Sequence, residues 1–127
     1  MKLKNREMIN MHEALIEIGK KDGIDPVLGV TIARNNFTLM NMTKPVSDEK
    51  EKLLDKYGKH DEKGNLVTQG GGVVLEYSKK YGEEYERLMD ADAEIELTTF
   101  TMNDIKKMSP TPNQIMHLLP IIAEKKK

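Results

Sequence analysis

Two apolar stripes at helical spacing, separated by one short polar turn, constrain this chain more than any other feature. Met8, Met11, Leu15 and Ile18 recur at intervals of three, four and three residues, the period that aligns side chains on one face of an α-helix. Asn5 is the expected N-cap, while Gly19 and Gly23 weaken and then end the helix. Asp25-Pro26 reads as a second N-cap followed by proline at the first helical position, where an N–H would have no intrahelical partner. From there Val30, Ala33, Phe37 and Met40 repeat the interval. The two stripes predict an antiparallel αα-hairpin over residues 5–57, with these eight side chains in its seam.

Pro45 interrupts the second stripe, because it cannot donate to the carbonyl four residues back and disfavours helical geometry at Lys44. Ser47-Asp48-Glu49 would recap a helix through Leu53, Leu54 and Tyr57, ending at Gly58. One long kinked helix and two abutting ones both fit. A continuous helix from Pro26 to Tyr57 would span about 48 Å at 1.5 Å per residue, an arm whose far end must be solvated or packed on a partner.

Residues 58–75 are rich in turn signals, with Glu62-Lys63-Gly64-Asn65 and then three glycines. Leu66-Val67-Thr68 and Val73-Val74-Leu75 are candidate strands of a short hairpin. A helix over 76–91 follows, with Val74, Tyr77, Tyr81, Tyr85 and Leu88 as one stripe. Residues 93–101 alternate, Ile95, Leu97 and Thr99 on one side against Glu94, Glu96 and Thr98, the period of a half-buried strand. Short helices complete 102–124. Thr101 with Asp104 caps the first, and Thr111-Pro112-Asn113-Gln114 forms a capping box for the second, which carries Ile115, Leu118, Leu119 and Ile122 and is bent or broken at Pro120. The fold class expected is α+β, predominantly helical: one domain over 1–127 holding a helical hairpin, a small antiparallel β element and C-terminal helices.

Composition excludes several functional classes. There is no cysteine, which removes disulfides, Cys-based zinc sites and thiol catalysis. Twenty basic and twenty-one acidic residues leave a net charge of −1, against the basic excess that phosphate binding favours, so a nucleic-acid partner is disfavoured. The only basic cluster, Lys125-Lys126-Lys127, suits the negative end of a helix dipole. The charged opening Met1-Lys2-Leu3-Lys4-Asn5-Arg6 is unlike a secretory signal, and no stretch approaches the ~20 apolar residues that span a bilayer. A soluble, cytoplasmic protein is expected.

No constellation of catalytic or ligating residues emerges. His12-Glu13-Ala14-Leu15-Ile16 misses the zinc-protease pattern, because Ile16 stands where a second histidine must share the helix face. His60 and His117 lie far off in sequence. Gly70-Gly71-Gly72 could offer backbone N–H groups to an anion, but Val73-Val74 replace the Lys and Ser/Thr of a phosphate loop, leaving at most a weak anion-binding loop. Glu94 and Glu96, neighbours on one strand face, read as the solvent side of an edge strand. No metal, cofactor or enzymatic activity is expected. What remains is surface: nine methionines against two phenylalanines and no tryptophan. Met8, Met11 and Met40 are assigned to the seam. Tyr77, Tyr81, Tyr85, Met42, Met102 and Met108 are candidates for an interaction surface, since tyrosine and methionine suit adaptable contacts.

Several stretches together resemble a family of small uncharacterised phage and prophage proteins of Gram-positive bacteria. These are the opening Met1-Lys2-Leu3-Lys4-Asn5-Arg6-Glu7-Met8-Ile9-Asn10, Lys52-Leu53-Leu54-Asp55-Lys56-Tyr57-Gly58, Asp61-Glu62-Lys63-Gly64-Asn65, and the late strand followed by Thr111-Pro112 and Leu118-Leu119-Pro120-Ile121-Ile122. Pro45 and the triple glycine depart from that pattern. The resemblance implies a phage setting and transfers no site residues. Together with the empty search for catalytic chemistry, it leads to a non-enzymatic protein–protein interaction module, acting on itself as a homodimer or on a host factor, a defence factor included. A virion or tail-assembly component and a small nucleotide-binding protein are the alternatives.

Overall fold

Asp25 starts the longest element of the molecule. Its carboxylate accepts from the Leu28 N–H at 3.2 Å and its carbonyl from the Gly29 N–H at 2.8 Å, so Pro26 takes the first helical position as its missing N–H allows. The computed structural model describes residues 1–123; the Lys125–Lys127 cluster and the last residue of the expected C-terminal helix lie outside them. In chain order the elements are β1 (Lys2–Lys4), α1 (Asn5–Gly19), α2 (Pro26–Tyr57), β2 (Thr68–Gln69), β3 (Gly72–Val73), α3 (Ser78–Asp90), β4 (Asp92–Glu94), α4 (Met102–Met108), α5 (Pro112–Leu118) and a 3-10 turn at Leu119–Ile121. The molecule is predominantly helical with small antiparallel β pairings, and a helical hairpin opens it. α2 runs unbroken through Pro45, which leaves the Asn41 carbonyl without its helical donor. The single domain expected from the sequence divides into two compact units, one of Met1–Thr43 with the chain from Asp92 onward and one of Lys44–Ala91.

The first unit holds the main core. Met8, Met11, Ala14, Leu15 and Ile18 of α1 are buried, as the stripe predicts, with Leu28, Ile32 and Leu39 of α2 and Ile95, Phe100, Ile105, Met108, Leu118 and Ile121 from the C-terminal elements. α1 begins one residue earlier than a cap at Asn5 requires: Lys4 is the cap, and its N–H donates to Glu7 Oε1 at 2.9 Å. β1 is new to the sequence reading. It pairs antiparallel with β4, setting Lys2 opposite Glu94 and Lys4 opposite Asp92, so opposite charges face each other across the ladder while Leu3 turns into the core. The strand expected over 93–101 is confined to Asp92–Glu94. Beyond it Ile95 is buried, Leu97 packs against the core and Thr99 is exposed, in an extended segment that hydrogen-bonds to a side chain of α2 in place of a strand.

Both C-terminal caps form as expected. Thr101 Oγ1 accepts from the Asp104 N–H and Asp104 Oδ2 from the Thr101 N–H; Thr111 and Gln114 make the same reciprocal pair. α4 closes on Ser109 in the left-handed region, and Lys21 Nζ donates to the Met108 and Ser109 carbonyls at 3.3 and 2.7 Å. That ammonium satisfies acceptors that a helix C-terminus otherwise leaves to water. Pro120 does break the last helix, which passes into the 3-10 turn; Leu118 and Ile121 face the core while Leu119 is exposed.

In the second unit the hairpin is real but shifted. Thr68 pairs with Val73 and Gln69 with Gly72, leaving Gly70 and Gly71 as a two-residue turn at φ +61° and +85°. Positive φ at both central residues is the type I′ geometry that two-residue hairpins prefer. Lys59, just after α2, receives the Val67 N–H and donates to the Val74 carbonyl, which ties the hairpin base to the helix end. Gly58 makes that junction possible: a Cβ there would sit 2.4 Å from the Leu54 carbonyl oxygen and 2.6 Å from Leu66 Cδ2. α3 starts at Ser78, two residues later than expected, and leaves Val74 and Tyr77 outside the helix. Lys56 and Glu84 approach to 3.9 Å.

Candidate functional site

The site follows from which face of α2 the first unit buries. Leu28, Ile32, Asn35, Leu39 and Thr43 are turned inward. Val30, Phe37 and Met40, expected in the hairpin seam, are instead 50, 63 and 48 % exposed, Val27 beside them is 76 % exposed, and Ala33 is exposed too. The correction has a plain cause. α2 carries two apolar stripes on opposite sides at the same period, and periodicity cannot say which one meets α1.

The composition of this stretch is unusual for an exposed surface. Arg34 is the only charged residue from Pro26 to Thr43, in a chain that is 32 % charged. A helix normally turns a charged face to water, yet this stretch, with one charge, is covered by its own unit on one side only. Charge depletion with an aromatic, a methionine and an arginine retained is also the composition of interface cores. That depletion is the sequence signal that would have exposed the site. Beside Ala33 a groove of about 550 Å³ opens between α1 and α2, with Ile16, Ile24, Gly29 and Ile32 along its walls together with the charged Lys20, Lys21 and Asp22 of the turn. The Asn36 side-chain oxygen is buried with no hydrogen-bond partner among the described residues.

The structure separates the residues proposed from sequence as an interaction surface. Met108 is fully buried in the core, and Met42 packs partly against it, because both lie on inward faces of amphipathic helices. Met102 is 48 % exposed at the start of α4. The tyrosines belong to the second unit. Tyr77 is half exposed and meets Tyr57 edge-on at 6.5 Å, while Tyr81 and Tyr85 stack at 5.7 Å. Lys50 lies over the Tyr85 ring at 5.8 Å and Lys80 over Tyr77 at 5.9 Å. Partial burial and the neighbouring Tyr85 hold the Tyr81 hydroxyl above its ordinary pKa. These rings pair among themselves and with lysines of their own unit, which leaves less unsatisfied apolar surface than the α2 stripe. Gly70, Gly71 and Gly72, expected as an anion-binding loop, form the hairpin tip; no helix starts there, so the dipole that would favour an anion is absent.

No three His, Asp or Glu side chains among the described residues are grouped to hold a metal ion, and no described helix is long and apolar enough to cross a membrane. His12 is partly buried on α1, and burial lowers its pKa against a smaller opposing effect of Glu13. No protein-family model, curated protein or solved structure matches the chain.

Proposed function

We propose that this protein is a non-enzymatic interaction module that docks an apolar, charge-poor protein surface on the outward face of α2. One observation carries the reading: an 18-residue helical stretch with a single charge is buried along Leu28, Ile32 and Leu39 and open to solvent along Val27, Val30, Phe37 and Met40. Leaving such side chains in water forfeits about 1.5–3 kcal/mol for each that could be fully buried. Contiguous exposed apolar surface of this kind marks a contact site more often than chance exposure. In the phage setting that the sequence resemblance implies, a chain this small acts by covering a protein surface of host or phage.

The test uses a photoreactive amino acid at position 37 or 40, with position 107 on exposed α4 as control. Irradiation in the native cell is expected to trap one protein, identified by mass spectrometry, from positions 37 and 40 and not from 107. The same diffuse adducts from all three positions, or none from any, overturn the reading.

A further inference from the structure

We infer that the occupant of the outward α2 face is a second copy of this chain, packed antiparallel about a two-fold axis passing between Ala33 and Arg34. The inference rests on the docking reading above and names its partner. An isologous interface uses one patch twice, so each large side chain must find its complement within that same patch. The outward stripe meets this condition in its axial spacing, with Val30 and Phe37 face to face and Val27 and Met40 on opposite flanks. Reversing the helix about the midpoint of Ala33 and Arg34 sets Val27 level with Met40 of the second copy and Val30 level with its Phe37. All four are exposed in the single chain.

The axis passes between the smallest residue of the patch, Ala33, on one flank and Arg34 at the same distance on the other. Both Ala33 residues lie on one flank of the axis, the flank that borders the groove, and allow the helices to close. Phe37 of each copy arrives level with Val30, slightly toward that same flank, where Gly29 and Ala33 of the other copy open onto the groove. Both Arg34 residues fall on the opposite flank with backbones as close as those of Ala33, so their long side chains must extend outward to solvent, where their mutual repulsion is screened. No acidic residue lies between positions 26 and 43, and Asp22, which lines the groove, has Lys20 and Lys21 along the same walls. The four apolar side chains alone expose on the order of 400 Å² per copy, half of the ~800 Å² that each partner gives a standard interface; Ala33, Arg34, Asn41 and the groove walls supply more.

The geometry makes one position diagnostic. At an ordinary helix separation of 8–10 Å the two Ala33 Cα atoms come about 6 Å apart, inside the range a disulfide spans. Val27, level with Met40, is far from its own symmetry mate. Because the chain has no cysteine, single substitutions report this cleanly. The experiment is sedimentation of the full chain over the micromolar range, with mild oxidation of Ala33→Cys and Val27→Cys. A dimer is expected, cross-linked through position 33 and not through 27. Phe37→Asp is expected to leave a monomer that melts as the unsubstituted chain does when diluted below its dimer range, and Arg34→Gln to tighten the dimer several-fold while weakening its gain with added salt. A chain monomeric throughout the range, or equal cross-linking at 27 and 33, overturns the inference. A monomer that still traps one other protein from positions 37 and 40 overturns the second copy and keeps the docking face; a monomer that traps none overturns both.

Discussion

Asn35 and Thr98 hold each other as two strands would. Asn35 Nδ2 donates to the Thr98 carbonyl and the Thr98 N–H donates to Asn35 Oδ1, both at 2.9 Å, with Asn35 only 2 % exposed. A helix has no free backbone edge to offer an extended chain, so the carboxamide stands in for a peptide. Replacing Asn35 by Leu keeps the branched shape, adds bulk and strands both Thr98 groups, and about 2 kcal/mol of stability or more is expected to go, measured by chemical denaturation. Asn35→Asp keeps the acceptor, removes the donor and buries a charge. Its loss is expected to exceed that of the leucine variant at pH 7 and to shrink as the carboxyl protonates in acid.

The two faces of α2 make a paired prediction. Leu39 is fully buried and Phe37, two residues away, is 63 % exposed. Leu39→Ala opens a cavity in the first unit and is expected to cost about 2–5 kcal/mol. Phe37→Ala removes a larger side chain and is expected to change monomer stability by less than about 0.5 kcal/mol, as exposed positions do. Thermal melts of dilute samples compare them; equal losses would mean that the outward face is in fact covered within the chain.

Gly58 is the tightest point of the second unit. Gly58→Ala sets a methyl group against the Leu54 carbonyl and Leu66, and backbone cannot yield as a flexible side-chain end can. A loss of about 2 kcal/mol or more is expected, confined at first to residues 44–91. All four tyrosines, at 57, 77, 81 and 85, are in that unit and both phenylalanines are outside it, with no tryptophan to interfere. The transition in tyrosine fluorescence in Gly58→Ala is therefore expected at a lower denaturant concentration than in the unsubstituted chain. Coincidence of fluorescence and circular dichroism would show that the two units unfold as one.

What was legible in the sequence was local. The α1 stripe, the Asp25-Pro26 start and the caps at Thr101 and Thr111 each depend on residues within four positions of one another, and each formed. What was hidden depends on distant partners. A three-residue strand at Lys2–Lys4 acquires meaning only from Asp92–Glu94, and Asn35 looks like an ordinary polar helix residue until Thr98 reaches it. The proposed docking face fell between these cases. Val30, Ala33, Phe37 and Met40 were recognisable as a stripe, but Leu28, Ile32 and Leu39 made an equally good one. The choice of which to bury lay with the rest of the core. Charge counting along 26–43 would have shown a single charge, Arg34, so that charge marks neither face as the solvent side.

His12 gives the fold a pH dependence of fixed sign. Its partial burial disfavours the imidazolium, so the folded pKa lies below the ordinary value near 6.5 and the folded chain binds fewer protons than the unfolded chain in between. Stability from this residue is intact above about pH 6.5 and is lost as pH falls from there through the folded pKa. His12→Gln removes the titration, and its stability is expected to vary less with pH across that window than that of the unsubstituted chain. The His12 ring resonances are expected to titrate with a lower midpoint in buffer than in concentrated urea. A midpoint that does not move between the two conditions would show that the ring is as hydrated in the fold as outside it, and would remove the linkage.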